Sequence, residues 1–139
     1  MQKINSNRNY YYLKIILIMR YSYQREVIKK IIQETNYHPT ADWIFKQTKK
    51  IIPNISLGTV YRNLKRLEEE GEMKTLFDGN IARYDWNTES HEHLKCKECG
   101  DIVDVHLVHK EFTSKVKRKF KFDVDDVEMT VIGTCSKHA

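Results

Sequence analysis

Side chains of the kinds that bind metals are concentrated in one short stretch, Tyr84 to Val105, with the sequence YDWNTESHEHLKCKECGDIVDV. Within 20 positions this stretch contains two aspartates, two histidines and two cysteines, namely Asp85, His91, His93, Cys96, Cys99 and Asp104. Carboxylates and imidazoles suit iron, manganese or zinc, whereas two thiolates in C-x2-C spacing suit a closed zinc site. The stretch therefore predicts two metal sites of different chemical character.

The two cysteines have a matching pair near the end of the chain. Cys96 and Cys99 form a C-x2-C pair, and Cys135 and His138 form a C-x2-H pair. Two such pairs complete a tetrahedron, so the pattern favours a structural zinc site. The alternative is a pair of buried or redox-active thiols beside an unrelated histidine close to the chain end.

A second set combines oxygen and nitrogen ligands and consists of His38, Asp85, His91, His93 and Asp104. This mixture suits Fe(II) or Mn(II) better than zinc alone. His91 and His93 alternate on an extended segment, so both side chains point to the same face. Each of these residues, taken singly, is more often an ordinary surface or core residue. Together they indicate a second metal site.

Charge divides the chain into a basic first part and a nearly neutral second part. Residues 1–86 contain 15 Lys and Arg against 9 Asp and Glu, a net charge of +6. Residues 87–139 contain 9 against 10, a net charge of −1. This distribution fits a nucleic-acid-binding module joined to a module of another kind, although solvated helices also carry excess lysine.

The number of cysteines and the length of the apolar segments indicate where in the cell the protein is expected. Three cysteines do not make a secreted disulfide framework, so we expect a reduced, cytoplasmic protein. The apolar run Tyr12 to Met19 contains Lys14 and is far shorter than the roughly 20 residues that cross a bilayer. We therefore expect no membrane association, and we interpret residues 1–18 as an N-terminal extension ahead of Met19.

The pattern of apolar residues predicts three helices and a hairpin before residue 86. The first helix is expected from about Tyr21 to Glu34, and Thr40 is expected to cap the second. The third is expected from Leu57 to Glu70, with Ser56 as N-cap and a buried face formed by Leu57, Val60, Leu64 and Leu67. Two short strands then flank a turn at Asp78, Gly79 and Asn80. This order is typical of a winged helix-turn-helix, whose third helix would present Thr59, Tyr61, Arg62, Lys65 and Arg66 to DNA.

The second part is expected to be a small α/β domain. The segment HLKCKECGDIVDV predicts strand, thiolate turn and strand, residues 107–121 predict a helix, and residues 122–135 predict a further strand. The fold class is therefore α+β. The predicted domains are a winged-helix DNA-binding domain at residues 19–86 and an α/β dimerisation and metal-binding domain at residues 91–139.

The segments HPTADWIF, SLGTVYRNLKRLEEEGEM and HEHLKCKECGDIVD closely resemble the ferric uptake regulator (Fur) superfamily. The resemblance implies a homodimeric, metal-dependent transcriptional repressor that binds double-stranded DNA at a pseudo-palindromic operator. Iron sensors of the superfamily usually have glutamate where this chain has Asp85 and Asp104, so the chain resembles the peroxide-sensing (PerR) branch. The second C-x2-C pair of the family is C-x2-H here, which implies a zinc site of three cysteines and one histidine.

The resemblance also implies a mechanism. His38, Asp85, His91, His93 and Asp104 would form the regulatory Fe(II) or Mn(II) site, and metal would act as co-repressor. Peroxide reacting at Fe(II) would oxidise His38 or His91 and release the operator, without catalytic turnover, so the protein would not be an enzyme. A repressor of iron or zinc uptake without peroxide sensing shares every motif and remains the alternative. A metalloenzyme is a weaker alternative, since no general base is evident. His106 and His109 are interpreted as exposed surface residues.

Overall fold

The computed structural model describes residues 6–108 and 110–139 and has the α+β architecture that the sequence predicts. The chain divides into two compact units. The first contains the residues up to Glu34 and Pro39–Trp86, and the second contains Thr35–His38 and Asn87–Ala139. Residues 35–38 therefore pack with the later part of the chain, although the sequence-based boundaries place them in the first domain.

Helix α1 spans Ser6–Gln33 and begins well before the expected start near Tyr21. No glycine or proline interrupts this segment, so nothing in the sequence ends the helix between Ser6 and Gln33. Side chains 10–19 are nevertheless exposed, and Gln24 is the first buried residue among those described. Residues 6–18 of the predicted extension are thus helical and side chains 10–18 are exposed, while residues 1–5 lie outside the described residues.

Two capped helices follow, as predicted. Helix α2 spans Ala41–Ile51, and the Thr40 hydroxyl oxygen accepts the Trp43 backbone N–H at 3.3 Å. Helix α3 spans Leu57–Glu69, and Ser56 Oγ accepts the Thr59 N–H at 3.1 Å. These caps satisfy backbone donors that have no partner within the helix. Gly71 has φ of 72°, a left-handed conformation that glycine adopts without strain at a helix end.

The core of the first unit lies between these three helices. Its fully buried side chains are Ile28, Ile44, Thr48, Val60, Leu64 and Leu67. Leu57 was expected in the buried face of α3 but is only half-buried, because it lies in the first turn at the edge of the core. Asn63 is buried instead, and its Nδ2 donates to the Thr59 carbonyl oxygen at 2.9 Å. Ile51, in the last turn of α2, is 54% exposed.

The predicted wing is present. Strands β1 (Lys74–Asp78) and β2 (Ile81–Asp85) pair antiparallel, with Asp78 opposite Ile81. Gly79 has φ of 62°, as the tight turn between the strands requires. The Tyr84 N–H donates to the Pro39 carbonyl oxygen at 3.0 Å and joins the wing to the start of α2. Three helices followed by this hairpin form a winged helix-turn-helix.

The second unit contains a three-stranded sheet in the order β4-β3-β5. Strand β3 (Glu92–Cys96) pairs antiparallel with β4 (Ile102–Val105) and parallel with β5 (Thr130–Gly133). Helix α4 spans Lys110–Phe120, slightly shorter than the predicted range of 107–121. The last strand is much shorter than the predicted range of 122–135, because Asp123, Asp125 and Asp126 have low strand propensity.

Within residues 6–108 and 110–139, no helix combines the length and the apolar character that crossing a bilayer requires.

Replacing Leu64 with alanine should lower the free energy of unfolding by about 2–5 kcal/mol, because it removes a fully buried side chain from between the helices. Ile51→Ala is the matched control and should change it by less than about 0.5 kcal/mol, since that side chain is exposed. Urea unfolding followed by circular dichroism measures both. Equal losses in the two variants would contradict this description of the core.

Candidate metal centres and DNA-reading helix

Three imidazoles and one carboxylate converge in the second unit. The Nε2 atoms of His38, His91 and His93 lie 2.8, 3.2 and 3.5 Å from Oδ1 of Asp104. The Nε2 atoms of His91 and His93 are 3.0 Å apart. One possible ligand atom from each of the four residues lies within 4.8 Å of every other, so a single ion could touch all four.

The strand pairing explains why these side chains meet. His93 on β3 stands directly opposite Asp104 on β4, so the two are cross-strand neighbours. His91 precedes β3 and lies two positions before His93, which places it on the same face. His38 reaches the cluster from the segment Thr35–His38, which packs with this unit.

Backbone carbonyls orient two of the imidazoles. His38 Nδ1 lies 3.1 Å from the Ile102 carbonyl oxygen, and His91 Nδ1 lies 2.7 Å from that of Glu89. A carbonyl oxygen only accepts, so in each contact Nδ1–H is the donor, and in the neutral ring Nε2 keeps its lone pair. Both lone pairs then face the cluster, as in histidines that bind a metal through Nε2.

This arrangement fits a bound cation. Unprotonated Nε2 atoms and a carboxylate oxygen all present electron pairs, and their approach to about 3 Å is repulsive unless a positive charge lies between them. All three imidazole side chains are at least 86% buried, so solvent screens this repulsion poorly. Three nitrogens and a carboxylate oxygen suit Fe(II), Mn(II) or Zn(II).

Asp85, the fifth residue of the predicted set, is the last residue of β2 in the first unit and is 4% exposed. Carboxylates are seldom this well buried unless they are paired with a charge or bind a metal. Its role as a ligand remains a prediction.

The predicted thiolate cluster is also assembled in the second unit. Cys96, Cys99, Cys135 and His138 each offer a ligand atom within 4.8 Å of the others. The sulfurs of Cys99 and Cys135 are 3.9 Å apart, and Cys135 Sγ lies 3.1 Å from His138 Nδ1. The pairing of β3 with β5 brings the two halves together, because Cys96 ends one strand and Cys135 follows the other.

Local hydrogen bonds prepare this cluster for metal. The Gly100 N–H donates to the Cys96 carbonyl at 2.9 Å and closes the turn between Cys96 and Cys99. The backbone N–H of Cys99, followed by that of Cys135, lowers the pKa of the Cys96 thiol to about 6. These hydrogen bonds favour the thiolate of Cys96, which is the form that binds metal. Three sulfurs and one imidazole fit tetrahedral zinc.

The five residues predicted to face DNA lie on α3 in the first unit. Tyr61, Arg62, Lys65 and Arg66 are exposed, and Thr59 is half-buried. Arg62 Nη2 donates to Thr59 Oγ1 at 2.9 Å, which holds the guanidinium near the start of the helix. Arg66 Nε instead donates to Glu70 Oε1 at 2.6 Å. The guanidinium of Arg66 is thus paired with a carboxylate, whereas that of Arg62 is held by a hydroxyl group.

Sequence reasoning missed several supporting groups. The Asn87 amide donates to Asp104 Oδ2 at 3.4 Å, which leaves Oδ1 facing the imidazoles. Glu92 is buried, and its Oε2 accepts the N–H groups of Leu107 at 2.6 Å and Val108 at 3.3 Å. The Leu107 N–H is the largest cause of the lowered pKa of Glu92. The alternation His-Glu-His was a usable signal, because it places Glu92 on the face of β3 opposite the two histidines.

A winged helix-turn-helix joined to a small α/β unit with two metal-ligand clusters defines the class of a metal-binding regulator. The model of the ferric uptake regulator family matches residues 17–132. The peroxide-responsive repressor PerR of Staphylococcus epidermidis is 34% identical over 121 residues, covering 86% of this chain and 81% of that protein. The chain therefore belongs to the ferric uptake regulator family, and these relatives support a metal-responsive repressor.

Solved structures agree with this assignment. The peroxide stress regulator of Campylobacter jejuni superposes with a TM-score of 0.72 at 29% identity, covering 90% of this chain and 97% of that one. The ferric uptake regulator Fur of Helicobacter pylori superposes with a TM-score of 0.73 at 21% identity, covering 99% and 96%. The second likeness supports the fold alone.

His138→Ala should weaken zinc binding by at least about tenfold, because it removes one of four ligands. Removing even a residue that only hydrogen-bonds to a ligand typically lowers metal affinity by about tenfold or more. Lys137→Ala is the neighbouring control and should leave the affinity unchanged. Competition with a chromophoric chelator measures both constants. Equal affinity in His138→Ala and the unmodified chain would remove His138 from the site.

Proposed function

We propose that this protein is a metal-dependent, DNA-binding transcriptional repressor that senses peroxide through Fe(II)-dependent oxidation of ligating histidines. The observation that carries the proposal is the convergence of His38, His91, His93 and Asp104, with the lone pairs of two imidazoles fixed by backbone carbonyls. Membership of the ferric uptake regulator family and the names of its peroxide-responsive relatives support it.

The regulatory ligands in this proposal are the five residues named from the sequence, His38, Asp85, His91, His93 and Asp104. They would hold Fe(II) or Mn(II), which accept mixed nitrogen and oxygen ligands. The structural site is Cys96, Cys99, Cys135 and His138, which would hold Zn(II). Zinc bound there would link the end of β3 to the segment that follows β5, and it would therefore stabilise the sheet that also contains His93.

When bound, Fe(II) would supply an electron to hydrogen peroxide and so allow oxidation of a group beside it. The rings of His38 and His91 are the groups we expect to be oxidised. Their Nδ1 hydrogen bonds to backbone carbonyls hold each ring in one orientation, with its Nε2 edge towards the metal position. An oxidised ring is a poorer ligand, and the weaker interaction would lower the affinity of the site.

The two aspartates favour peroxide sensing over iron or zinc uptake control. Aspartate is one methylene shorter than the glutamate that iron sensors of the superfamily usually present at these positions. In this structure the Asp104 side chain is 35% exposed whereas the imidazoles are nearly enclosed. A small uncharged molecule such as peroxide would therefore approach from the carboxylate side.

Repression would follow from the link between His38 and the DNA-reading unit. His38 is joined through Pro39 to Thr40, the N-cap of α2, so ligation of His38 restrains the chain between α1 and α2. Metal binding would in this way favour a DNA-competent form, and loss of a ligand would release it. The protein would act as a homodimer on a pseudo-palindromic operator, with α3 in the major groove.

Peroxide should add oxygen to His38 or His91 only in the Fe(II)-loaded protein. Mn(II) would occupy the same ligands but reacts far less readily with peroxide. Peptide mass spectrometry after brief treatment with micromolar peroxide measures the added oxygen, and the Mn(II)-loaded protein treated in the same way is the control. Unmodified His38 and His91 in an Fe(II) protein that binds its operator would favour an uptake repressor instead.

Arg62→Ala should weaken operator binding by about 1–3 kcal/mol and relax the preference at one or two base positions. Arg62→Lys is the matched control: it keeps the charge but loses the guanidinium fork, so the salt dependence should persist while the base preference falls. Binding of both variants to operators selected from random duplexes tests this. Unchanged preference in both variants would exclude Arg62 as a base reader.

A further inference from the structure

Helix α4 concentrates the positive charge of the second unit. Residues 110–121 contain six cationic side chains and one acidic one, Glu111, a net charge of +5. The remainder of residues 87–139 contains three cationic side chains against nine acidic ones, a net charge of −6. The net charge of residues 87–139 is therefore close to zero because a basic helical segment is offset by acidic residues elsewhere in this part of the chain.

Most of the cationic side chains of α4 share one side of the helix. Phe112, Val116 and Phe120 recur every four residues and define an apolar side. At about 100° per residue, most of the cations fall on the arc away from it, and Lys119 lies at its border. The set consists of five residues of α4 and one residue directly after its end, and all six are exposed: Lys110, Lys115, Lys117, Arg118, Lys119 and, after the helix, Lys121. The helix is therefore amphipathic, with a cationic face defined by these six residues.

Most of this cationic face is not neutralised within the described chain. Lys117 pairs with Asp123, and Lys119 lies 5.3 Å from the centre of the Phe120 ring. Among the described residues, no carboxylate forms an ion pair with Lys110, Lys115, Arg118, Lys119 or Lys121. Repulsion between these neighbouring cations is unfavourable, and an external polyanion would relieve it.

The composition and length of the face fit the phosphate backbone of duplex DNA. Five of the six cations are lysines, which act as point charges on phosphate and lack the fork that reads base edges. Eleven helical residues extend about 16 Å, and duplex DNA carries one phosphate charge per roughly 1.7 Å of its axis. The face is therefore long enough to meet several phosphates.

We propose that the cationic face of α4 is a second DNA contact that binds the phosphate backbone without sequence preference and adds to the sequence-reading contact of α3. This inference rests on the proposed function, since it requires a protein that binds DNA. It assigns α4 a role in affinity and salt dependence, and none in operator choice.

The test uses the full chain with Zn(II) in the structural site and Mn(II) in the regulatory site. It compares the unmodified protein with two variants for binding to a random-sequence duplex over a range of salt concentrations. The variant Lys115→Gln/Arg118→Gln/Lys121→Gln removes three cations but leaves the Lys117–Asp123 pair and the Lys119–Phe120 contact in place. The charge-preserving control is Lys115→Arg/Arg118→Lys/Lys121→Arg. Circular dichroism and zinc content confirm that both variants are folded.

The glutamine variant should reduce the slope of log affinity against log salt by about one unit for each phosphate that the helix no longer neutralises, and the control should retain the original slope. Identical slopes and affinities in the glutamine variant and the unmodified protein would overturn the inference. So would unchanged DNA binding together with abolished binding to phosphatidylserine vesicles, because the face would then fit a lipid surface.

Failure of the proposed function gives a different result. A metal-loaded protein that binds no duplex at any salt concentration would refute DNA binding itself, and this inference with it. If the unmodified protein binds duplex, Arg62→Ala weakens selected operators and the glutamine variant does not alter the slope, only the role of α4 fails.

Discussion

The convergence of several lone pairs on one point is the constraint on which the rest of the site depends. Nε2 of His38 and Nε2 of His91 cannot face Oδ1 of Asp104 at about 3 Å without a positive charge between them. A proton on one ring and a metal ion both meet this need, so the two compete for the same position. In the proposed function, the geometry of the cluster would therefore depend on which cation occupies it.

The short segment Thr35–His38 supplies one of the converging imidazoles. This segment lies in sequence between α1 and α2 but packs with the second unit. Its last residue, His38, is oriented by the Ile102 carbonyl, and Ile102 lies on the strand that supplies Asp104. One strand thus provides both a candidate ligand and the carbonyl that orients a second candidate ligand. Thr40, the N-cap of α2, follows His38 by two residues.

The sequence predicted the parts of the structure that local patterns determine. Ser56 and Thr40 cap their helices as expected, because a hydroxyl before an apolar-periodic segment has a local role. The thiolate cluster was predictable from C-x2-C spacing, and the imidazole set from the density of ligands together with the family resemblance. The assignments of Asp85 to the regulatory site and of α3 to base reading are still predictions.

The features that the sequence did not reveal depend on tertiary contacts or on the backbone. Any residue could have supplied the carbonyls of Ile102 and Glu89, so residue type carries no signal for them. Leu57 fits the apolar spacing of α3, but only the packed core shows that the first turn lies at its edge. The length of α1 was underestimated because an exposed apolar segment resembles a targeting or extension sequence.

Burial separates the chemistry of the two metal centres. The side chains of His38, His91 and His93 are nearly enclosed, and the Asp104 carboxylate is the most accessible of the four converging groups. The thiolate cluster is more open, since Cys99 and His138 are exposed and only Cys96 is buried. In such a site four protein ligands around zinc leave no open coordination position, and the sulfur lone pairs are engaged in bonding to the metal. A reactive metal therefore suits the enclosed site and a redox-inert metal the open one, which is the division of roles that a peroxide-sensing repressor requires.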